Sequence, residues 1–177
     1  MHILKSEVVK IYSISIFKDY DIEMKWSTIY WGVKNSLLDL KSIPEFVINF
    51  MDDHPNIDIP ELLELAWDND NEAKVIDLLE TLEKKQPDIF KLKDSCDMNK
   101  WRYCILKSLR ESELSNSEIL DKVELVYADF DYPVELAGAV RYMPPQDGYN
   151  PEKHTKEENE QHMLNEIDKF LELEKNV

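Results

Sequence analysis

Ser42-Ile43-Pro44-Glu45-Phe46-Val47 and Ile59-Pro60-Glu61-Leu62-Leu63-Glu64-Leu65-Ala66-Trp67 are two helix starts built alike, and they decide the fold class. In each, a proline sits inside the first turn, where a missing N–H breaks no intrahelical bond, and a glutamate follows. Ser42 and Glu45 have the spacing of a capping box. The first start opens onto Phe46, Val47, Phe50 and Met51, with Pro55 just beyond the predicted end. The second opens onto Leu62, Leu63, Leu65, Ala66 and Trp67. Two copies are too few for a solenoid.

The same periodicity extends in both directions. Upstream, Trp26, Ile29, Tyr30, Val33 and Leu37 share one helical face. The first eighteen residues are ambiguous: Leu4, Val8, Ile11 and Tyr12 keep helical spacing, whereas Tyr12, Ile14 and Ile16 alternate as a strand would, and helix is the preferred reading. Downstream, Asp68-Asn69-Asp70-Asn71 breaks the pattern and caps a helix to about Lys85, with Asp68 and Asp70 as caps and surface charge. Residues 86–96 read as a connection. A helix from about Met98 to Glu111 carries Trp101, Cys104, Ile105 and Leu109. Ser115-Asn116-Ser117-Glu118 is a capping box for a helix with Ile119, Leu120, Val123, Val126 and Tyr127. Asp129-Phe130-Asp131-Tyr132-Pro133 makes a turn before a short helix with Leu136, Ala137 and Val140. Met143 to His154, rich in proline and polar residues, is the best candidate boundary, and a last helix runs from about Thr155 to Lys175. The expected fold is all-α, an irregular bundle or array of seven to nine helices with room for one short N-terminal strand. Residues 1–145 would form its helical core, and 146–177 a linker and docking helix of the same domain.

Charge narrows the function classes. Thirty-seven acids face twenty-one bases, a net charge of −16. Such a surface repels phosphate backbones and anionic membranes and favours encounter with cationic proteins. From Asp52 to Glu83 eleven acids meet one base, Lys74. Asp129 and Asp131 form a second acidic turn interleaved with Phe130 and Tyr132. Carboxylates beside aromatics suit a protein interface, because acids steer a basic partner and rings anchor it. The alternative is a solvated face with its aromatics turned inward. The candidate partner-binding residues are Trp67, Asp68, Asp70, Glu72, Asp129, Asp131 and Tyr132. Lys100, Arg102, Lys107 and Arg110 concentrate on one helix, where internal pairing with acids is their simplest use.

Several chemistries have no motif. Glycine occurs only at 32, 138 and 148, which leaves no P-loop, dinucleotide fingerprint or Gly-x-Ser-x-Gly elbow. A calcium loop started at Asp68 would put Ala73 where glycine belongs and Leu79 where a bidentate glutamate belongs. His154 and His162 lack the one-turn spacing of a zinc helix, and no histidine falls three residues after a glutamate. No metal or cofactor is expected, nor an enzyme. Cys96 and Cys104, eight residues apart on one helix, would sit about 12 Å apart along its axis, too far to bridge. Two free thiols fit a reducing cytoplasm. The N-terminus has no apolar core or small-residue cleavage site, and no apolar run reaches a bilayer's span.

Tyr127-Ala128-Asp129-Phe130-Asp131-Tyr132-Pro133 with Arg141-Tyr142-Met143-Pro144, Leu62-Leu63-Glu64-Leu65-Ala66-Trp67-Asp68-Asn69, and Lys100-Trp101-Arg102-Tyr103-Cys104 together resemble a bacterial family of uncharacterised domains. The resemblance covers about residues 20 to 145. Members resemble small acidic immunity proteins that accompany secreted or contact-delivered toxins, including contact-dependent growth inhibition systems. It implies an immunity protein that binds a basic toxin domain, a nuclease for instance, in the cytoplasm of the producing cell. Carboxylates standing where phosphates would is one mode; binding away from the active site is another. A helical adaptor and a metal-dependent hydrolase are the other readings the residues leave open.

Overall fold

The computed structural model describes residues 11–67 and 69–175. Expectations for residues 1–10 and for Asp68 lie outside the described residues. Within them the chain is all-α: eight α-helices and three short 3₁₀ turns, with no strand. The chain divides into two compact units, the first ending at Asp97 and the second beginning at Met98. The proline-rich stretch expected as a boundary lies inside the second unit.

The first unit holds α1 (Ser15–Asp19), α2 (Trp26–Lys34), α3 (Ile43–Asp53), α4 (Pro60–Leu65) and α5 (Glu72–Lys85). The alternation at Tyr12 reads out as one isolated parallel bridge to Leu38, not a strand: the Tyr12 N–H donates to Leu37 O at 2.7 Å, and the Asp39 N–H to Tyr12 O at 2.8 Å. Ile14, Ile16 and Phe17 then turn inward at the start of α1. The capping box expected at Ser42 does not form. A 3₁₀ turn, Leu40–Ser42, runs directly into α3 and puts Ser42 in helical backbone. The Ser42 hydroxyl instead accepts the Ile14 N–H at 3.2 Å and donates to Asp39 O at 2.6 Å. Pro44 and Pro60 occupy first turns as expected.

The centre of this unit is aromatic. The Trp26 ring meets Phe46, Phe50 and Phe90 edge-on at centroid distances of 4.9, 5.1 and 5.1 Å. This edge-to-face geometry places ring hydrogens on the negative faces of neighbouring rings. Around it, Ile29 and Val33 of α2, Leu62 and Leu65 of α4, and Val75, Leu79 and Leu82 of α5 are buried.

The second unit contains most of α6 (Asp97–Arg110), then α7 (Asn116–Asp129), a 3₁₀ turn over Val134–Ala139, another over Pro151–Lys153, and α8 (Lys156–Glu174). The Ser115 capping box forms as expected: the Glu118 N–H reaches Ser115 Oγ, and the Ser115 N–H donates to Glu118 Oε2 at 2.9 Å. Thr155 and Glu158 build a second box at the start of α8. Leu164, Ile167, Phe170 and Leu171 give α8 its buried stripe, which packs on the Val134–Ala139 turn and α7. The α6 cations do pair internally. Arg102 grips Glu174 through Nε at 3.0 Å and a second bond from its terminal nitrogen, and Arg110 forks onto Asp168 at 2.8 and 3.1 Å. Lys107 pairs with Glu111 one turn on at 2.7 Å.

Candidate functional site

The candidate partner residues fall into two groups, one in each unit. The first lies on the connection between α4 and α5. Helix α4 stops at Leu65, and the chain is closed by Asn69, whose buried amide donates to Leu65 O at 2.8 Å and to Trp67 O at 3.1 Å. With the chain folded back there, Trp67 is left 78% exposed. Asp70 and Glu72 are exposed beside it in sequence. The cap of α5 is Asn71, not an aspartate: its Oδ1 accepts the Lys74 N–H at 3.0 Å. Glu72 opens the first turn of α5, where a negative charge suits the helix dipole, and accepts the Ser36 hydroxyl at 3.3 Å.

The acidic run from 52 to 83 divides by role. Glu61 holds Lys85 through both oxygens at 2.7 Å, which keeps its carboxyl below the usual range. Glu64 pairs with Lys74 at 3.3 Å. Glu80 accepts the Tyr30 hydroxyl at 2.7 Å; burial first, then this bond, pushes the phenol up to about 12. Glu83 accepts the Leu92 N–H at 3.0 Å. These four serve the fold. Asp52, Asp58, Asp70 and Asp77 remain exposed carboxylates.

The second group is the turn after α7. The Tyr132 N–H bonds back to Tyr127 O at 2.9 Å, closing the helix end. That closure needs a left-handed residue, and here two in succession supply it, Asp131 at φ 61° and Tyr132 at φ 55°. A bulky residue there is uncommon and strained. Phe130 is buried, whereas Tyr132 is 58% exposed and meets the buried Tyr127 edge-on at 5.3 Å. Tyr142 also meets Tyr127, at 6.4 Å, and is itself exposed, as is Val134. Asp129 and Asp131 are exposed at the same turn. Sequence reasoning passed over Tyr142 and Val134 as site residues, since nothing in their spacing separates an exposed ring from a buried one.

Of the grooves, one in the first unit holds about 720 Å³. It is lined by Trp26, Phe46, Phe50 and His54 with both lysines and acids, and Lys25 is already paired with Asp94 at 3.2 Å. Cys104 is buried, and burial lifts its thiol to about 12, which suits a core residue and not a nucleophile. Among the described residues one set of metal-capable side chains converges: Asp147, His162 and Glu166, in the second unit. His154 and His162 both stack on the Tyr149 ring, at 4.6 and 3.7 Å.

An all-α chain with acidic, aromatic-bearing turns is the class these features define. The chain belongs to the family described as uncharacterized protein conserved in bacteria (DUF2247), whose family model matches residues 14–175. The match therefore takes in α8, beyond the stretch on which the resemblance in sequence was read. No curated protein matches the chain, and no solved structure does. Among the described residues no helix is long and apolar enough to cross a membrane.

Proposed function

We propose that this chain is a non-enzymatic immunity protein that binds and neutralises a basic bacterial toxin domain. The observation that carries the reading is Trp67, a large residue left 78% exposed a few positions before the exposed Asp70 and Glu72. Tryptophan is highly buried on average, and it is among the residues most enriched at interface hot spots. The turn at Asp129, Asp131 and Tyr132 repeats the combination. Carboxylates would steer a cationic cleft into place, and the rings would slow its release. A nuclease toxin fits the charge, since its cleft must attract phosphate. The helical-adaptor reading uses the same surfaces with a different basic partner.

The test is capture of partners by the immobilised chain, washed at low and then moderate salt, followed by co-expression with any basic toxin domain retained. The expected result is one stoichiometric partner whose toxicity the chain suppresses. Trp67→Ala, and separately Asp129→Lys with Asp131→Lys, should each weaken binding on the order of thirtyfold, as loss of a hot spot does. A retained partner that is not toxic would favour the adaptor. Unchanged binding by both variants would remove these surfaces from the interface.

A further inference from the structure

We infer that Asp147, His162 and Glu166 form a binding site for a divalent transition-metal ion of the zinc class. The site lies within the second unit. One ligand atom from each side chain can be chosen so that all three lie within 4.8 Å of one another. A zinc ion with ligands at about 2.1 Å holds them roughly 3.4 Å apart, so the set must close by little more than about 1 Å. His162 Nε2 and Asp147 Oδ2 are already 2.8 Å apart. His162 and Glu166 are one turn apart on α8 and share a face, and Asp147 comes from the preceding loop.

Each donor is held by a second contact, as metal ligands are. The Tyr149 ring stacks on His162 at 3.7 Å and 12°, which sets the imidazole plane, and the Tyr149 hydroxyl is tied to Asn159 at 2.8 Å. The Tyr149 N–H donates to Asp147 Oδ1 at 3.0 Å and leaves Oδ2 facing the histidine. Glu166 lies against Gly138, where an added Cβ would stand 2.8 Å from Oε2. The missing side chain at 138 is thus what lets the carboxylate rest where it does.

Donor chemistry selects the ion. One imidazole nitrogen with two carboxylate oxygens suits zinc and its neighbours better than magnesium or calcium, which prefer all-oxygen shells. Two negative charges balance a divalent ion, and three protein ligands leave a position for water. The His162 and Glu166 side chains are 18% and 17% exposed, sheltered yet reachable. Lys169 Nζ, 2.5 Å from Glu166 Oε1, is the cation that the ion would displace.

Calorimetric titration of the whole chain with zinc, with millimolar magnesium present, tests this. One ion per chain is expected, unaffected by magnesium. His162→Ala and Asp147→Asn should weaken binding at least about tenfold. Asp147→Asn keeps an acceptor for the Tyr149 N–H, so it decides the matter if His162→Ala fails to fold. Lys169→Met, which removes the competing ammonium, should tighten binding several-fold, a change that a simple histidine–aspartate hydrogen bond would not produce. Absence of a stoichiometric site, or binding unchanged in Asp147→Asn, overturns the proposal.

Discussion

Single residues in this chain take roles that their chemistry permits but does not announce. Asn69 is the clearest case: its amide closes α4 on two carbonyls, and Trp67 is left exposed there. The two cysteines divide in the same way. Cys96 is exposed and Cys104 buried with a raised thiol. A thiolate-selective reagent should therefore modify one cysteine in the native protein, at Cys96, and reach Cys104 only on unfolding. Mass spectrometry of the labelled peptides reads this directly, and rapid native labelling of Cys104 would contradict the burial described. Glu166 and His162 were legible as an i, i+4 pair on a predicted helix, but the spacings sought in sequence were those of other metal motifs. Asp147, the third member, lies in a loop whose path no periodicity describes.

Helix starts were readable from sequence, as were the ends of α5, α6 and α8 to within a residue, whereas the ends of α1, α2 and α7 were not. Ser115 caps as expected, and Asn71 and Thr155 cap α5 and α8 in the same way, with Asn71 taking the place expected for Asp68 or Asp70, because a cap is a contact over three residues. The ends of α1, α2 and α7 are closed by Asp21, Ser36 and Asp131 in the left-handed region, without a glycine. Each closure is marked by an N–H reaching back five residues: Ile22 to Phe17, Leu37 to Gly32, and Tyr132 to Tyr127. With glycine so rare in the chain, the usual stop signal is absent. Ser42 shows the opposite failure, a good capping sequence whose hydroxyl a distant N–H has taken. The caps also predict a pH signature. The Glu118 carboxyl is held below its ordinary 4.5 by the Ser115 hydroxyl and then by the Ser115 N–H. A depressed value means that its contribution is present above about pH 4.5 and is lost as pH falls through the folded value. Urea denaturation should show Glu118→Gln destabilising at pH 7 and converging on the parent as pH falls below the folded value. Asn71→Ala, whose cap carries no charge, should cost about 1 kcal/mol throughout that range.

For the molecule as a whole, net charge dominates what can approach it. At −16, association with a cationic partner should be fast at low ionic strength and slow as salt screens it, with a Debye length of about 10 Å at 0.1 M. Stopped-flow measurement with a captured basic partner should find the association rate dropping on the order of tenfold between 20 mM and 500 mM salt, with the dissociation rate nearly constant. An association rate indifferent to salt would assign the acidic surface to solubility alone.

Fold class and most helix starts were determined by sequence, because they follow from periodicity and capping that act within a few turns; the acids that the α6 arginines take, Glu174 and Asp168, arrive only with the packing of α8. Which acids serve the fold was decided only in three dimensions: Glu61, Glu64, Glu80 and Glu83 are occupied, whereas Asp70 is left exposed. The same holds for Trp67, expected both on an apolar face and at an interface, and for the meeting of Asp147 with His162. Exposure and convergence depend on which distant segments arrive at a residue. A linear pattern carries a side chain's chemistry and its local angle, but not the neighbour that covers it.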